Sequence, residues 1–236
     1  MPVIALTSPK GGVGKTTCAI LLATGFRRMG ADVTVIDADP NHSLSTWAEA
    51  GLPDGIEIIT DVNRDNIIST IRGADGVGCV VIVDLEGVAS TVVSRSLTQA
   101  DLVLVPMQAS TIDVKLGLRA IDLIADFSRA LKRTIPCAAV FTKTGTIKTR
   151  IQRELETELR AGGIDLIEPS LAQRPAFTEL FAYGHDLVSM GSDPQFKTGG
   201  NIAAALLNAT LFVDEIYDRI KAKPTVARPA SKARLG

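Results

Sequence analysis

Residues 3–17 read Val3-Ile4-Ala5-Leu6-Thr7-Ser8-Pro9-Lys10-Gly11-Gly12-Val13-Gly14-Lys15-Thr16-Thr17. Val3 to Leu6 is a short apolar run of β type, Pro9 to Gly12 break it, and an apolar-periodic helix begins near Lys15. Strand, glycine-rich turn, Lys-Thr and helix, in that order, form the setting a phosphate-binding loop requires. Glycine lets the backbone wrap closely around an anion, so successive N–H groups converge on it at the positive end of the helix. In such a loop Lys15 reaches the β- and γ-phosphates and the Thr16 hydroxyl ligates Mg²⁺. Gly11, Gly12, Val13, Gly14 and Thr17 complete the cradle. A bare glycine turn is most often an ordinary strand-to-helix connection, and Gly14-Lys15-Thr16 after a first strand is what separates the two readings.

The chain's 236 residues suffice for one sizeable α/β domain, and no shift in composition divides them. The apolar fraction of 46% beside 22% charged residues is that of a globular protein with a filled core. A net charge of −1 supplies no global field toward nucleic acid, so any DNA contact must come from a local patch. Cys18, Cys79 and Cys137 lie in apolar surroundings without a C-x-x-C spacing, which reads as buried small hydrophobes in a reducing cytoplasm. With His42 and His185 as the sole histidines, a metal or iron–sulfur centre is not expected. The chain enters its first strand without a charged-then-apolar leader and has no run of 18 apolar residues, so a cytosolic protein without a membrane span is expected.

Further along, Cys18–Met29 continues the first helix up to Gly30, and Asp32–Ile36 is a β-branched strand that delivers Asp37-Ala38-Asp39-Pro40-Asn41. Carboxylates at the carboxyl end of a parallel strand stand where open α/β sheets place their ligands, although Asp before Pro also makes ordinary turns. A short helix over Ser43–Ala50 with Trp47 inward, a strand over Ile56–Ile59 and an amphipathic helix over Asn63–Ile71 follow. Cys79-Val80-Val81-Ile82-Val83-Asp84 is the continuous apolar run of a parallel strand buried on both faces. Its terminal Asp84 takes the position of an acid that holds Mg²⁺ through water. Strands over Asp101–Met107 and Ile135–Thr142 and helices over Thr111–Lys132, Thr149–Gly162 and Asn201–Lys221 complete a single domain spanning 1–221. The fold class expected is α/β: one P-loop domain with a mostly parallel twisted sheet and helices on both faces. Residues 222–236, with Lys223, Arg228, Lys232, Arg234, two prolines and no acid, read as a disordered basic tail.

The strict G-x-x-x-x-G-K-T pattern fails at Pro9, and Lys10-Gly11-Gly12-Val13-Gly14-Lys15-Thr16-Thr17 stands instead, with a second lysine at the head of the loop. This resembles the deviant P-loop of the ParA/MinD family, ATPases that dimerise face to face around nucleotide. The resemblance covers roughly residues 2–220, including Asp37-Ala38-Asp39-Pro40-Asn41, with Asn41 in a glutamine position, and Ala100-Asp101-Leu102-Val103-Leu104-Val105-Pro106. It implies that Lys10 crosses to the partner's phosphates, that Asp39 positions or polarises the attacking water, and that Asp37 joins the Mg²⁺ and lysine network. The chain departs from the pattern after Asp84: Leu85-Glu86-Gly87 replaces a Thr-Pro-Pro-like segment, and Glu86 is expected to face solvent rather than orient water. Thr142-Lys143-Thr144 lacks the N-K-x-D of guanine-specific proteins and favours adenine. The layout is most similar to the short ParA type without an amino-terminal helix-turn-helix, and within it to VirC-type proteins of conjugal DNA transfer.

The function this implies is an ATP-dependent switch. Mg–ATP makes a homodimer, the dimer binds DNA without sequence preference at the nucleoid, and hydrolysis stays slow until a ParB-like or relaxosome-like partner stimulates it. Lys143, Lys148, Arg150, Arg153 and Arg174 are the candidates for phosphate contact, mixed among acids that also suit a solvated helix face. Two alternatives stand beside it: a MinD-like membrane-positioning ATPase, for which the tail offers Leu235 as its one large apolar residue, and an ATP-dependent small-molecule ligase or synthase of the same superfamily.

Overall fold

The structure, a computed structural model, describes residues 1–74, 76, 78–194 and 201–222. The basic tail expected beyond residue 222 lies outside the described residues. In chain order the elements are β1 (Val3–Leu6), α1 (Lys15–Arg28), β2 (Asp32–Ala38), α2 (Ser43–Glu49), β3 (Ile56–Ile59), α3 (Ile67–Gly73) and β4 (Cys79–Leu85). They continue as α4 (Thr91–Leu97), β5 (Leu102–Gln108), α5 (Thr111–Ala130), β6 (Cys137–Thr142), α6 (Arg150–Ala161), α7 (Pro175–Tyr183), α8 (Leu187–Ser192) and α9 (Ile202–Lys221).

The strands form one six-stranded sheet in the order β3-β2-β4-β1-β5-β6. Every pair in it is parallel. The chain runs from β1 outward to β2 and β3, returns through β4 to the other side of β2, and crosses β1 to β5 and β6. That reversal puts a crevice at the carboxyl ends of the central strands, where doubly wound sheets take their ligands.

Period-2 alternation divides the side chains of these strands between two cores. Ile4, Leu6, Val33, Val35, Ile82 and Leu104 pack beneath α1, α2, α7, α8 and α9. Val3, Ala5, Val81, Val83, Val103 and Val105 pack beneath α3, α4, α5 and α6. With both faces covered, β4 is buried at every position, which is why its sequence reads as unbroken Val and Ile. Each such Val, Leu or Ile side chain contributes roughly 1.5–3 kcal/mol on leaving water, so the sheet is a stiff platform for whatever its carboxyl edge carries.

The differences from the expected elements are local and have local causes. The helix expected over Asn63–Ile71 begins at Ile67, because the Asn63 side chain accepts from Asp65 N at 2.8 Å and from Asn66 N at 3.3 Å and closes a turn first. Three short helices, α4, α7 and α8, add to the expected set, and α7 opens on Pro175 at its first position. Helix α4 is capped by Ser90, which accepts from Val93 N. Helix α8 is capped by Asp186, which accepts from Val188 N and Ser189 N. Trp47 is buried as expected, with its Nε1 donating to the His185 carbonyl at 3.4 Å, which ties α2 to the end of α7. No helix among the described residues is long and apolar enough to cross a membrane.

Candidate functional site

The loop between β1 and α1 turns on two left-handed glycines, Gly12 at φ 72° and Gly14 at φ 98°. Gly14 is the N-cap of α1 and offers no side chain to cap it, so the first amides of the helix face the loop's interior. A residue with a Cβ at Gly14 would be strained at that φ and would also stand 3.6 Å from the Thr142 Cβ. The Thr142 hydroxyl, at the end of β6, donates to the Val13 carbonyl at 2.5 Å and lies 3.2 Å from the Met107 carbonyl. The loop is thereby pinned to the sheet. At its other shoulder the Thr7 hydroxyl donates to the Gly87 carbonyl, and Ser8 bridges Gly87 in antiparallel sense. The segment after Asp84 is fastened to the loop by this pair of contacts.

Register brings the acids together. Asp37 of β2 lies opposite Asp84 of β4, which in turn lies opposite Leu6, the last residue before the loop. Thr16 Oγ1 donates to Asp84 Oδ2 at 2.7 Å. Among the described residues Asp84 Oδ1 is buried without a hydrogen-bond partner. Burial, aided by the charges of Asp37 and Asp39, pushes the Asp84 carboxyl up to about 7 against the pull of the Thr16 hydrogen bond and the Lys15 charge. Asp37 is also raised, chiefly by burial. Its two oxygens accept from backbone amides, Asp39 N and Leu44 N, each at 3.2 Å, so it shapes the following loop. Lys15 is buried and its Nζ stands 3.6 Å from Asp39 Oδ2. Asp39 Oδ1 accepts from Asn41 N at 3.0 Å and from Asn41 Nδ2 at 2.8 Å.

Lys10 sits apart from this group. Its side chain is 46% exposed, and its Nζ binds Asp113 Oδ1 at 2.7 Å. Asp113 is buried in the first turn of α5, where its Oδ2 accepts from the Ser110 hydroxyl at 3.0 Å and its amide donates to Ser110 Oγ at 3.2 Å. Sequence reasoning misses Asp113. The Ser110-x-x-Asp113 spacing signals a helix start, and nothing in it announces a partner 103 residues away. Thr142 and Asn41 stand in motifs the sequence displays, and only their contacts give them roles.

The basic candidates lie on the rim beyond β6. Lys143, Lys148, Arg150 and Arg153 are exposed. Lys148 pairs with Glu156 at 2.7 Å and Arg150 with Glu154 at 2.7 Å. Among the described residues Lys143 and Arg153 have no acidic partner. Arg174, at the N-cap of α7, is half-buried, and its buried Nε has no hydrogen-bond partner among the described residues. Glu86 is exposed. All three cysteines are buried, and burial raises the thiols of Cys18 and Cys137, the latter to about 12, so both are inert thiols.

A family model described as the CobQ/CobB/MinD/ParA nucleotide binding domain matches residues 4–188. The chain belongs to this family. Protein ParA of Rhizobium radiobacter is 42% identical over 222 residues, covering 93% of this chain and 98% of its own. Protein virC1 of the same organism is 23% identical over 207 residues, covering 84% of this chain and 89% of its own. A Cyanothece McdA in complex with ATP shares the fold with a TM-score of 0.70 at 17% identity, covering 96% of this chain and 98% of the other. The chain is thus an ATPase of the ParA/MinD kind.

Proposed function

We propose that this ATPase is an ATP-driven dimerising switch that binds DNA without sequence preference and positions DNA or another cargo, as in plasmid partition or conjugal transfer. The observation that carries the reading is the separation of two lysines on one loop. Lys15 is buried beside Asp39 inside its own chain's site, whereas Lys10 stands exposed on the rim with its ammonium on Asp113. A lysine needed for its own chain's phosphates would face inward like Lys15. One held at the rim is placed to meet a second copy's nucleotide, where a cation supplied in trans stabilises charge on the transferring phosphoryl group.

In this reading ATP lies in the loop 10–17, with Lys15 on its phosphates, and Asp39 positions the attacking water. The residues present suit Mg²⁺. Asp84 carries a buried, unpartnered oxygen beside the Thr16 hydroxyl, and its raised carboxyl is one that a cation would return to the ionised form. Thr16 and Asp84 would hold the ion, with Asp37 behind them. Among the described residues no trio of His, Cys, Asp or Glu is set to cage a metal, which fits an ion that takes its other ligands from phosphate and water. The ion would neutralise charge on the β- and γ-phosphates.

The dimer would work in the cytoplasm, at the nucleoid when ATP-bound, and a ParB-like or relaxosome-like partner would quicken its hydrolysis. The test is binding to a random-sequence duplex in Mg–ATP and then Mg–ADP across a salt series. Binding in ATP alone, falling steeply as salt rises, is the expected result. Equal binding with both nucleotides, or none with either, would contradict the DNA-bound switch.

A further inference from the structure

The geometry points to Asn41 as a positioning residue for ATP hydrolysis: its side-chain amide fixes the rotation of the Asp39 carboxylate, so that one oxygen is anchored in the loop and the other faces Lys15 and the phosphate site. The inference rests on the reading of Asp39 as the group that positions the attacking water.

The two oxygens of a carboxylate are equivalent, and an aspartate turns about its Cβ–Cγ bond at little cost, so the direction of one oxygen depends on what holds the other. One hydrogen bond from the backbone leaves that rotation broad. Here a second donor narrows it. Asn41 N reaches Asp39 Oδ1 at 3.0 Å, and Asn41 Nδ2 reaches the same oxygen at 2.8 Å. Oδ1 is filled by these two bonds and becomes the anchor. Oδ2 is left toward Lys15, 3.6 Å away.

The surrounding loop holds the donor in place. His42 N donates to the Asp39 carbonyl at 2.9 Å, Pro40 restricts the backbone between them, and Asp39 N is tied to Asp37. When Lys15 is drawn onto the phosphates of bound ATP, Oδ2 loses its cation and keeps its direction, because the bonds that set that direction are all on Oδ1. The oxygen that meets the attacking water is therefore already aimed, and no reorientation is needed at the moment of reaction.

Asn41 itself is exposed, so its side chain packs nothing that the fold needs. That makes a clean experiment possible. Turnover at saturating Mg–ATP, ATP affinity by equilibrium dialysis and Tm are measured for Asn41→Ala, Asn41→Asp, Asp39→Ala and the Asp39→Ala/Asn41→Ala pair. Asn41→Ala is expected to lose about tenfold in kcat with Kd for ATP within about twofold of the parent and Tm unchanged. Asn41→Asp, which keeps the shape and has no N–H to give, is expected to fall at least as far. The double variant is expected to turn over no more slowly than Asp39→Ala, since Asn41 acts only through Asp39.

Parental turnover in Asn41→Ala beside a slow Asp39→Ala would overturn the role of Asn41 and leave that of Asp39 standing. A fall in ATP affinity matching the fall in turnover would also overturn it, because a binding role would then explain the loss. Undiminished turnover in Asp39→Ala would instead remove the reading of Asp39 on which this inference is built.

Discussion

Two regions at the carboxyl edge of the same sheet carry charge in opposite ways. Around β1, β2 and β4, Lys15, Asp37, Asp39 and Asp84 are buried, and each is fixed by a short contact to the loop or to another member of the group. Around the start of α6, Lys143, Lys148, Arg150 and Arg153 stand in solvent, where Lys148 pairs with the buried Glu156 and the exposed Glu168, and Arg150 with the exposed Glu154. Burial makes the first region demanding in its geometry, since an unmatched charge there costs several kcal/mol. Exposure makes the second adjustable, since such pairs contribute about 0–1 kcal/mol and are screened by salt. One region suits chemistry that demands fixed distances. The other suits a ligand that presents repeated phosphates and asks only for positive charge.

The largest effect is expected at Lys15. Lys15→Ala removes the buried cation of the loop and takes from the Asp39 carboxylate its neighbouring charge, and equilibrium dialysis should show ATP affinity lowered by about 100-fold or more. Retained affinity would mean that the buried group is structural.

Asp84 gives the next largest effect, and its sign depends on pH. Below the unfolded value of 3.8 the carboxyl is protonated in both states and costs nothing. As pH rises from there the unfolded chain ionises while the folded chain stays protonated, so nucleotide-free stability falls until the folded carboxyl ionises at about 7. Asp84→Asn should remove this fall and make the nucleotide-free protein more stable than the parent at pH 8, by on the order of 2–4 kcal/mol. Tm measured from pH 5 to 8 checks it, and added Mg–ATP should reverse the ranking.

Thr142 tests whether the loop is held from β6. Thr142→Val keeps the shape and leaves the buried Val13 carbonyl without its donor, for a loss of about 1–3 kcal/mol in denaturant unfolding. The smallest effects belong to the rim. Lys143→Ala and Arg153→Ala should each reduce the salt slope of duplex binding by about 0.9 for every DNA phosphate the side chain neutralises, whereas Arg150→Ala, whose charge is already matched by Glu154, should change it less. Equal effects from all three would show that the surface pairs do not hold when DNA approaches.

Much of the buried region is legible in the sequence because its geometry follows from local order. Gly14-Lys15-Thr16 after a strand fixes a loop, and the unbroken Cys79–Val83 run fixes a central strand that carries Asp84 at its carboxyl end. What is not legible depends on distant partners or on very short elements. The pairing of Lys10 with Asp113 joins residues brought together only by β1 and β5 lying side by side. Helices α4 and α8 are too short for a period to declare itself and exist through the caps Ser90 and Asp186 and the packing beneath them. The side chain of Asn41 reads as part of a turn until its amide is seen on Asp39 Oδ1.

The central claim is that Lys10 belongs to a second copy's site while Lys15 belongs to its own. Light scattering of the parent and of Lys10→Ala, in Mg–ATP and in Mg–ADP, with ATP affinity measured on the same samples, tests it most directly. The account predicts twice the monomer mass for the parent in Mg–ATP alone, and for Lys10→Ala a monomer that still binds ATP within about threefold of the parent. A normal ATP-dependent dimer of Lys10→Ala, or a parent that stays monomeric with ATP bound, would contradict it.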